Sequence, residues 1–176
     1  MRGDHGRHPL EESRPVNPAS ADDKAEIVIA KYIATSGVKL ISRESSEAFY
    51  RPATDTVVLP LIIQFADTAE YYSTAFHELT HSTGHPKRLN RITETARFGS
   101  APYSREELCA ELGASFLLNR LGIETPGSFR NNAAYISHWL GVLKEDKRLL
   151  VSAAGQADKA VRLILGEEVN SDVLEG

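Results

Sequence analysis

The segment HELTH at residues 77–81 constrains this chain more than any other part of its sequence. On a helix, His77 and His81 lie one turn apart on the same stripe, so both imidazoles can bind one metal ion. Neutral imidazole is the commonest protein ligand for zinc. Glu78 is rotated by about 100° from His77, which suits a general base acting on water better than a third ligand. The segment therefore predicts a zinc site with two histidine ligands and a catalytic glutamate.

Capping residues predict where this motif helix begins and ends. Asp67 and Glu70 have the spacing of a capping box, and Gly84 is suited to follow the last helical turn. The large apolar residues between these positions fall on the face opposite the two histidines. We therefore expect the motif helix to pack one face into the core and to present the other to a site.

The remaining patterns predict further helices and one hairpin. They are a helix that begins after Ser20 and ends near Gly37, a hairpin over residues 47–60 with its turn at Pro52 and Asp55, a helix over 104–122 opened by a capping box of Ser104 and Glu107, and two helices over 131–146 and 147–166. Together they predict one α+β domain. In it, a small, mostly antiparallel sheet packs on the motif helix, and C-terminal helices cover both.

Length and local composition set the expected domain boundaries. A chain of 176 residues suits a single hydrophobic core. Residues 1–22 carry three prolines among charged and small polar residues, so they are expected to form a flexible leader. The folded domain is expected over residues 23–167, and a frayed polar tail over 168–176.

Charge, cysteine content and hydropathy exclude several protein classes. The net charge of −4 argues against a large basic surface for nucleic acid. A single cysteine, Cys109, excludes an internal disulfide. No apolar run is long enough for a transmembrane helix, and the N-terminal stretch has no apolar secretion segment. We therefore expect a cytoplasmic protein without a membrane partner.

The helix over residues 104–122 is expected to supply a third metal ligand. A catalytic zinc takes three protein ligands and keeps one position for water. This helix is apolar around most of its circumference, but Glu107 and Glu111 interrupt it on one stripe. Buried carboxylates need a partner, which a dication and its histidines provide. Glu107 is favoured as the ligand and Glu111 as the acceptor that orients a histidine ring; the reverse stays open, because Glu107 could serve only to cap the helix.

His85 is a further histidine close to the motif. Along a regular helix it would lie about 12 Å from His77, whereas ligands that share one zinc ion lie roughly 3 to 4 Å apart. We therefore do not expect His85 to be a ligand. The longer pattern HExxHxxGxxH of the metzincins needs a histidine at position 87, where this chain has Lys87.

Several segments together form a more specific pattern than HELTH alone. They are AFYRPATDTVVLP, YYSTAFHELTHSTGH, RLNR, FGS, YSREELCAELGASFL and AAYISHWLGVLKEDKR. This series, over residues 25–166, resembles the zincin-like C-terminal domain of ArdC-type antirestriction proteins. The resemblance implies a zincin-like fold of gluzincin type, in which Glu107 of the ELCAE segment binds zinc and Glu111 supports a histidine.

The same resemblance bears on biological role. Members of the family are similar to one another in carrying an N-terminal domain that binds single-stranded DNA, and they are implicated in protecting the incoming DNA of mobile elements. The 22 residues expected as a leader are too few for such a domain. DNA binding is therefore not carried over from the family.

The first candidate function is a zinc metallopeptidase acting on a protein or peptide substrate. In this interpretation Glu78 takes a proton from the attacking water and returns it to the leaving amine. A further donor is needed to stabilise the oxyanion. Candidates are Tyr103, Tyr135 and His138.

The second candidate is an antirestriction or DNA-associated binding module whose metal is structural. Such a module would associate with DNA-bound proteins rather than cleave a peptide. Lys87, Arg88 and Arg91 form a small basic cluster just after the motif. Because the chain has a net negative charge, we expect this cluster to be a solvated loop.

Overall fold

The computed structural model of this chain describes residues 19–92, 101–123 and 147–168. In this part the elements are α1 Asp23–Ser36, β1 Lys39–Arg43, β2 Phe49–Arg51, β3 Thr56–Pro60, α2 Thr68–Thr83, α3 Ala101–Leu121 and α4 Lys147–Leu165. They confirm the predicted α+β class: α2 packs against the small sheet, and α3 and α4 pack against α2. The helix predicted over residues 131–146 lies outside the described residues. No helix in the described ranges combines the length and apolar character needed to cross a membrane.

The first helix begins two residues later than predicted. Asp22, not Ser20, is its N-cap, and the Asp22 carboxylate accepts hydrogen bonds from two backbone N–H groups of the first turn. Both residue types can cap a helix, so sequence alone did not separate them. The end at Gly37 is as predicted, because this glycine has a φ of 73°, a left-handed conformation that favours glycine.

The residues just before α1 belong to the packed part of the molecule. Ala19 is buried in the core, and the backbone N–H of Ser20 donates to the Thr68 hydroxyl at the start of α2 over 3.1 Å. The expected leader over residues 1–22 is therefore too long at its C-terminal end. Residues 1–18 and the expected tail from 169 onward lie outside the described ranges.

Within the described ranges the sheet has three strands, in the order β1-β3-β2. The predicted hairpin is present, since β2 pairs antiparallel with β3 and a turn of 3-10 helix, Pro52–Thr54, connects them. The β1 strand pairs parallel with β3 along five residues, so the sheet is mixed rather than mostly antiparallel. The β3 strand is buried along its whole length, as expected for the central strand of a sheet.

The core lies between the sheet and the apolar face of α2. That face is the one predicted from helical periodicity, and its large side chains are fully buried, with Tyr72 and Phe76 stacked at 5.9 Å between ring centroids. The other elements contribute Val57 and Leu59 from β3, Leu117 and Leu118 from α3, and Val161 and Ile164 from α4. Burial of this face fixes which side of α2 turns away from the core.

An arginine in the loop after α2 attaches the hairpin to the helix. The side chain of Arg88 donates to the Asp55 carboxylate over 3.0 Å and to the backbone oxygen of Ser82 over 2.8 Å. Tyr50 adds a hydrogen bond from its hydroxyl to Asp55 over 2.8 Å. Only 4% of the Arg88 side chain is exposed, so this member of the basic cluster is not solvated as expected.

We predict that Asp55→Asn lowers the free energy of unfolding at pH 7 by roughly 2–3 kcal/mol, because it leaves the buried Arg88 without a charged partner. Burial by itself would raise the pKa of Asp55, but hydrogen bonds from Arg88 and Tyr50 lower that pKa below its ordinary value. The carboxylate therefore stabilises the fold at neutral pH and loses its contribution as the pH falls below about 4.

Denaturant unfolding between pH 7 and pH 3 measures this effect. The gap between the wild type and Asp55→Asn should be constant down to about pH 4 and should shrink below it. Asp23→Asn, at an exposed aspartate in the first turn of α1, is the matched control and should cost less than about 0.5 kcal/mol. A gap that persists unchanged at pH 3 would contradict the assignment.

Candidate metal centre

The α2 helix brings the two motif histidines together near its C-terminal end. Its N-cap, Asp67, accepts a hydrogen bond from the backbone N–H of Glu70 over 2.8 Å. The helix then continues without interruption past both histidines. The Nε2 atoms of His77 and His81 lie 3.0 Å apart, and the two rings are nearly perpendicular. Both Nε2 atoms therefore face one common point.

The α3 helix brings a carboxylate to the same point. It begins at Ala101, with Pro102 in the first turn, so Ser104 lies inside the helix and the predicted capping box of Ser104 and Glu107 is wrong. The Glu107 carboxylate instead lies 3.7 Å from Nε2 of His77 and 3.6 Å from Nε2 of His81.

These three side chains have the spacing of a metal-ligand set. Among the described residues, one group of histidine, cysteine and acidic side chains converges closely enough to hold an ion, and it consists of His77, His81 and Glu107. One donor atom from each residue lies within 4.8 Å of the other two, and the two Nε2 atoms are 3.0 Å apart. Ligands about 2.1 Å from one zinc ion in tetrahedral geometry are separated by roughly 3.4 Å. The donor set therefore fits a divalent cation.

Each histidine also meets a carboxylate at its other ring nitrogen. Nδ1 of His77 lies 3.2 Å from Glu111, which has the orienting position expected for it. Nδ1 of His81 lies 3.3 Å from Glu106. A histidine that donates its Nδ1–H to a carboxylate keeps the Nε2 lone pair available for a metal. Glu106, Glu107 and Glu111 all come from α3.

The sequence did not predict that Glu106 belongs to this site or that Arg91 is its partner. The Arg91 guanidinium donates to both oxygens of the Glu106 carboxylate, over 2.9 and 3.1 Å, and 8% of its side chain is exposed. Arg91, like Arg88, is therefore buried in an ion pair rather than solvated. One signal could have found Glu106, because two ligating histidines need two acceptors for their Nδ1–H groups and only Glu111 had been assigned.

The electrostatic environment of the two histidines is strongly negative. Burial alone would lower the pKa of His77, but the Glu111 carboxylate, with Glu78 and Glu107 nearby, raises that pKa above its ordinary value. For the acidic Glu106 burial alone would raise the pKa, but hydrogen bonds from His81 and Arg91 lower that pKa below its ordinary value. Glu106 is therefore ionised at neutral pH, and the cluster attracts a cation.

Glu78 lies beside this donor set without joining it. The residue is only 8% exposed, and its carboxylate accepts a hydrogen bond from the backbone N–H of Tyr50 in β2. Burial raises the pKa of Glu78 above its ordinary value, although the two histidines lower it in part. A raised pKa makes its ionised form a stronger proton acceptor, which suits a general base.

Other residues considered from the sequence lie elsewhere. His85 follows the end of α2, and its Nδ1 atom accepts a hydrogen bond from the backbone N–H of Lys87 over 3.2 Å. It is not part of the donor set. Tyr135, His138 and the side chain of Tyr103 lie outside the described part of the chain.

Comparison with known protein families identifies the family of this chain. A family model described as a zincin-like metallopeptidase matches residues 27–156, a segment that contains the whole donor set. The chain belongs to this zincin-like family. The fold type and the family resemblance expected from the sequence are thereby confirmed.

Solved structures of the antirestriction protein ArdC from plasmid R388 are similar to this zincin-like chain. The metal-free structure has a TM-score of 0.62 and 37% identity and covers 84% of this chain and 51% of ArdC. The Mn(II)-bound structure has a TM-score of 0.65 and 35% identity and covers 93% of this chain and 58% of ArdC. This chain therefore spans about half of the ArdC chain.

A curated relative is much longer. The DNA primase TraC of Escherichia coli is 41% identical over 164 residues, which make up 93% of this zincin-like chain but 14% of TraC. The similarity therefore concerns one segment of a large protein.

A glycine sets how closely α2 and α3 of this zincin-like domain approach. A Cβ atom placed on Gly113 would lie 2.6 Å from the side chain of Thr80, which is fully buried in α2. Carbon atoms do not pack at that distance, so a larger residue forces the helices apart or distorts them. The acidic residues of the site lie on α3 within two turns of Gly113, and they would move with it.

We predict that Gly113→Ala destabilises the protein by about 1–3 kcal/mol and weakens its affinity for divalent metal, although alanine is the better helix former. Gly155→Ala is the matched control in α4, where a Cβ meets nothing within 4 Å, and it should stabilise by about 0.5–1 kcal/mol. Denaturant unfolding and chelator competition measure the two effects. Equal stability and equal affinity in both variants would contradict the close approach.

Proposed function

We propose that this chain is a metal-dependent peptidase domain that uses His77, His81 and Glu107 to hold a divalent cation and Glu78 as the general base. One observation carries the proposal. Three donor atoms from two helices converge to within 4.8 Å of one another, and the buried Glu78 carboxylate lies beside them. A merely structural metal site has no need for that fourth group.

The donor set favours zinc among common divalent cations. Two imidazole nitrogens and one carboxylate oxygen are typical of catalytic zinc sites, which keep one position open. The similar ArdC protein has a structure with Mn(II) bound. Zinc binds a given site of nitrogen and oxygen ligands more tightly than manganese does, so we expect zinc to displace manganese from this chain.

The residues of the chain divide the chemical work between them. When bound, a divalent cation supplies Lewis acidity, which polarises a carbonyl oxygen and makes water more acidic. Glu78 accepts the proton of the attacking water and passes it to the leaving amine. A hydrogen bond from the Tyr50 backbone lowers the pKa of Glu78 and so favours its ionised form. Glu111 and Glu106 fix the rings of His77 and His81.

The proposed substrate is a protein or peptide, and the proposed biological role is antirestriction. The role is supported by the similarity to ArdC, an antirestriction protein, over most of this chain. The chain spans only part of ArdC, so this role is proposed for the domain in its full context. A cytoplasmic location agrees with the one cysteine of the chain, which is buried and free.

A binding module with a structural metal is the second candidate. It is favoured by the names of the similar proteins, an antirestriction protein and a DNA primase, since both concern DNA. The basic cluster after α2 supports it less than expected. Arg88 and Arg91 are engaged in buried ion pairs, and of the three residues only Lys87 is exposed. In this alternative the domain associates with DNA-bound proteins and does not cleave them.

Glu78→Gln separates the two functions. We predict that it reduces peptide hydrolysis by roughly 10²- to 10⁴-fold while metal content and thermal stability stay close to those of the wild type, because Glu78 acts on protons and binds no metal. Hydrolysis is measured as new N-termini released from a peptide library, and metal content by elemental analysis. His81→Ala is the control that should lose both metal and activity.

Biological activity gives the second readout of the same variant. If Glu78→Gln retains its metal but no longer protects incoming DNA from restriction, peptidase chemistry is required for the role. Full protection by Glu78→Gln would contradict the peptidase proposal and favour the binding module.

A further inference from the structure

Arg91 connects three parts of the molecule through one guanidinium group. It lies in the loop after α2 and donates to the backbone oxygen of Thr80 over 2.9 Å and to the hydroxyl of Thr83 over 2.8 Å. Its remaining donors reach both oxygens of Glu106 on α3. A planar guanidinium with several donors in fixed directions holds a carboxylate in one orientation, which a flexible lysine does not. Arg91 therefore fixes Glu106 relative to the end of α2.

One oxygen of Glu106 is shared between Arg91 and a proposed metal ligand. Oε1 of Glu106 accepts from the Arg91 guanidinium over 2.9 Å, and the same Oε1 lies 3.3 Å from Nδ1 of His81. The position of this oxygen decides where the Nδ1–H of His81 points, and hence where Nε2 of the same ring points. Removal of Arg91 would leave Glu106 partly buried and free to rotate away from the histidine.

We propose that Arg91 is a positioning residue of the metal centre, which holds the ring of His81 in its metal-binding orientation through Glu106. The inference rests on the proposed function, because it assumes that His81 is a ligand. The hydrogen bonds of Arg91 go to Thr80, Thr83 and Glu106 rather than to the donor atoms of the set. Its role is to limit the movement of one histidine, and its loss should reduce metal affinity and alter the geometry of the bound metal.

The same loop supplies a matched control. Arg88 is as deeply buried as Arg91 and also forms a bidentate ion pair, but its carboxylate partner is Asp55 in the hairpin and does not face a ligand histidine. Loss of either arginine therefore removes a comparable ion pair from the fold. Only the loss of Arg91 also frees a histidine of the donor set. A difference between the two variants isolates the positioning effect from general destabilisation.

The experiment compares Arg91→Gln, Arg88→Gln and the double variant Arg91→Gln/Glu106→Gln in the full chain. Cobalt(II) is the probe, because its visible absorption reports the number and arrangement of ligands. For each variant, thermal unfolding of the metal-free protein is measured first. Chelator competition then gives the cobalt affinity at a temperature where circular dichroism shows the variant to be folded, and the absorption spectrum is recorded at saturation.

We expect Arg91→Gln to weaken cobalt binding by about 10- to 100-fold and to change the spectrum. Arg88→Gln should lower the unfolding temperature by a similar amount but leave the affinity and the spectrum unchanged. The double variant removes both charges, so it leaves no unpaired carboxylate and keeps the test valid if Arg91→Gln does not fold. It should also bind cobalt about 10-fold more weakly than the wild type.

Two results would overturn the inference. One is wild-type affinity and spectrum in a folded Arg91→Gln or in the double variant, which would make Arg91 purely structural. The other is an equal affinity loss in Arg88→Gln, which would trace the effect to general destabilisation. Failure of the proposed function has a different signature. In that case His81→Ala itself would bind cobalt with wild-type affinity.

Discussion

The α2 and α3 helices approach each other so closely at Thr80 and Gly113 that no side chain fits between them there. This contact sets the geometry of the donor set, because α2 carries the two histidines and α3 carries the three carboxylates within 4 Å of their ring nitrogens. A shift of about 1 Å between the helices would move the Glu107 oxygens away from the histidine Nε2 atoms, which they now approach to 3.6 and 3.7 Å. Close packing of the two helices is therefore required for the donor atoms of His77, His81 and Glu107 to converge.

The loop after α2 adds a second level of organisation through two buried arginines. Arg88 attaches the hairpin, which carries the Tyr50 N–H that contacts Glu78. Arg91 attaches α3 through Glu106, which contacts His81. One arginine of this loop therefore attaches the hairpin to α2, and the other contacts the carboxylate that faces a proposed ligand. Two of the three charges in the basic cluster, Arg88 and Arg91, are therefore buried in ion pairs, whereas Lys87 is exposed.

Local geometry explains which features could be predicted from the sequence. His77 and His81 lie on the same side of α2 because they are four residues apart on one helix. The same i,i+4 spacing predicts that Glu107 and Glu111 lie on one side of their helix. The parallel pairing of β1 and the contact of Arg91 with Glu106 depend on how separate elements pack. No local pattern encodes those contacts. The burial of Arg91 was not predicted, because a run of charged residues is usually exposed to solvent and the sequence does not show that Glu106 is its partner.

The central claim is that one divalent cation is held by His77, His81 and Glu107. The most direct test is the anomalous scattering of a zinc-loaded crystal, recorded on both sides of the zinc absorption edge. The account predicts one peak at about 2.0–2.2 Å from Nε2 of His77, Nε2 of His81 and a carboxylate oxygen of Glu107, with Glu106 and Glu111 not in contact with the ion. A peak bonded to Glu111 or Glu106 in place of Glu107, or one remote from the two histidines, would contradict it.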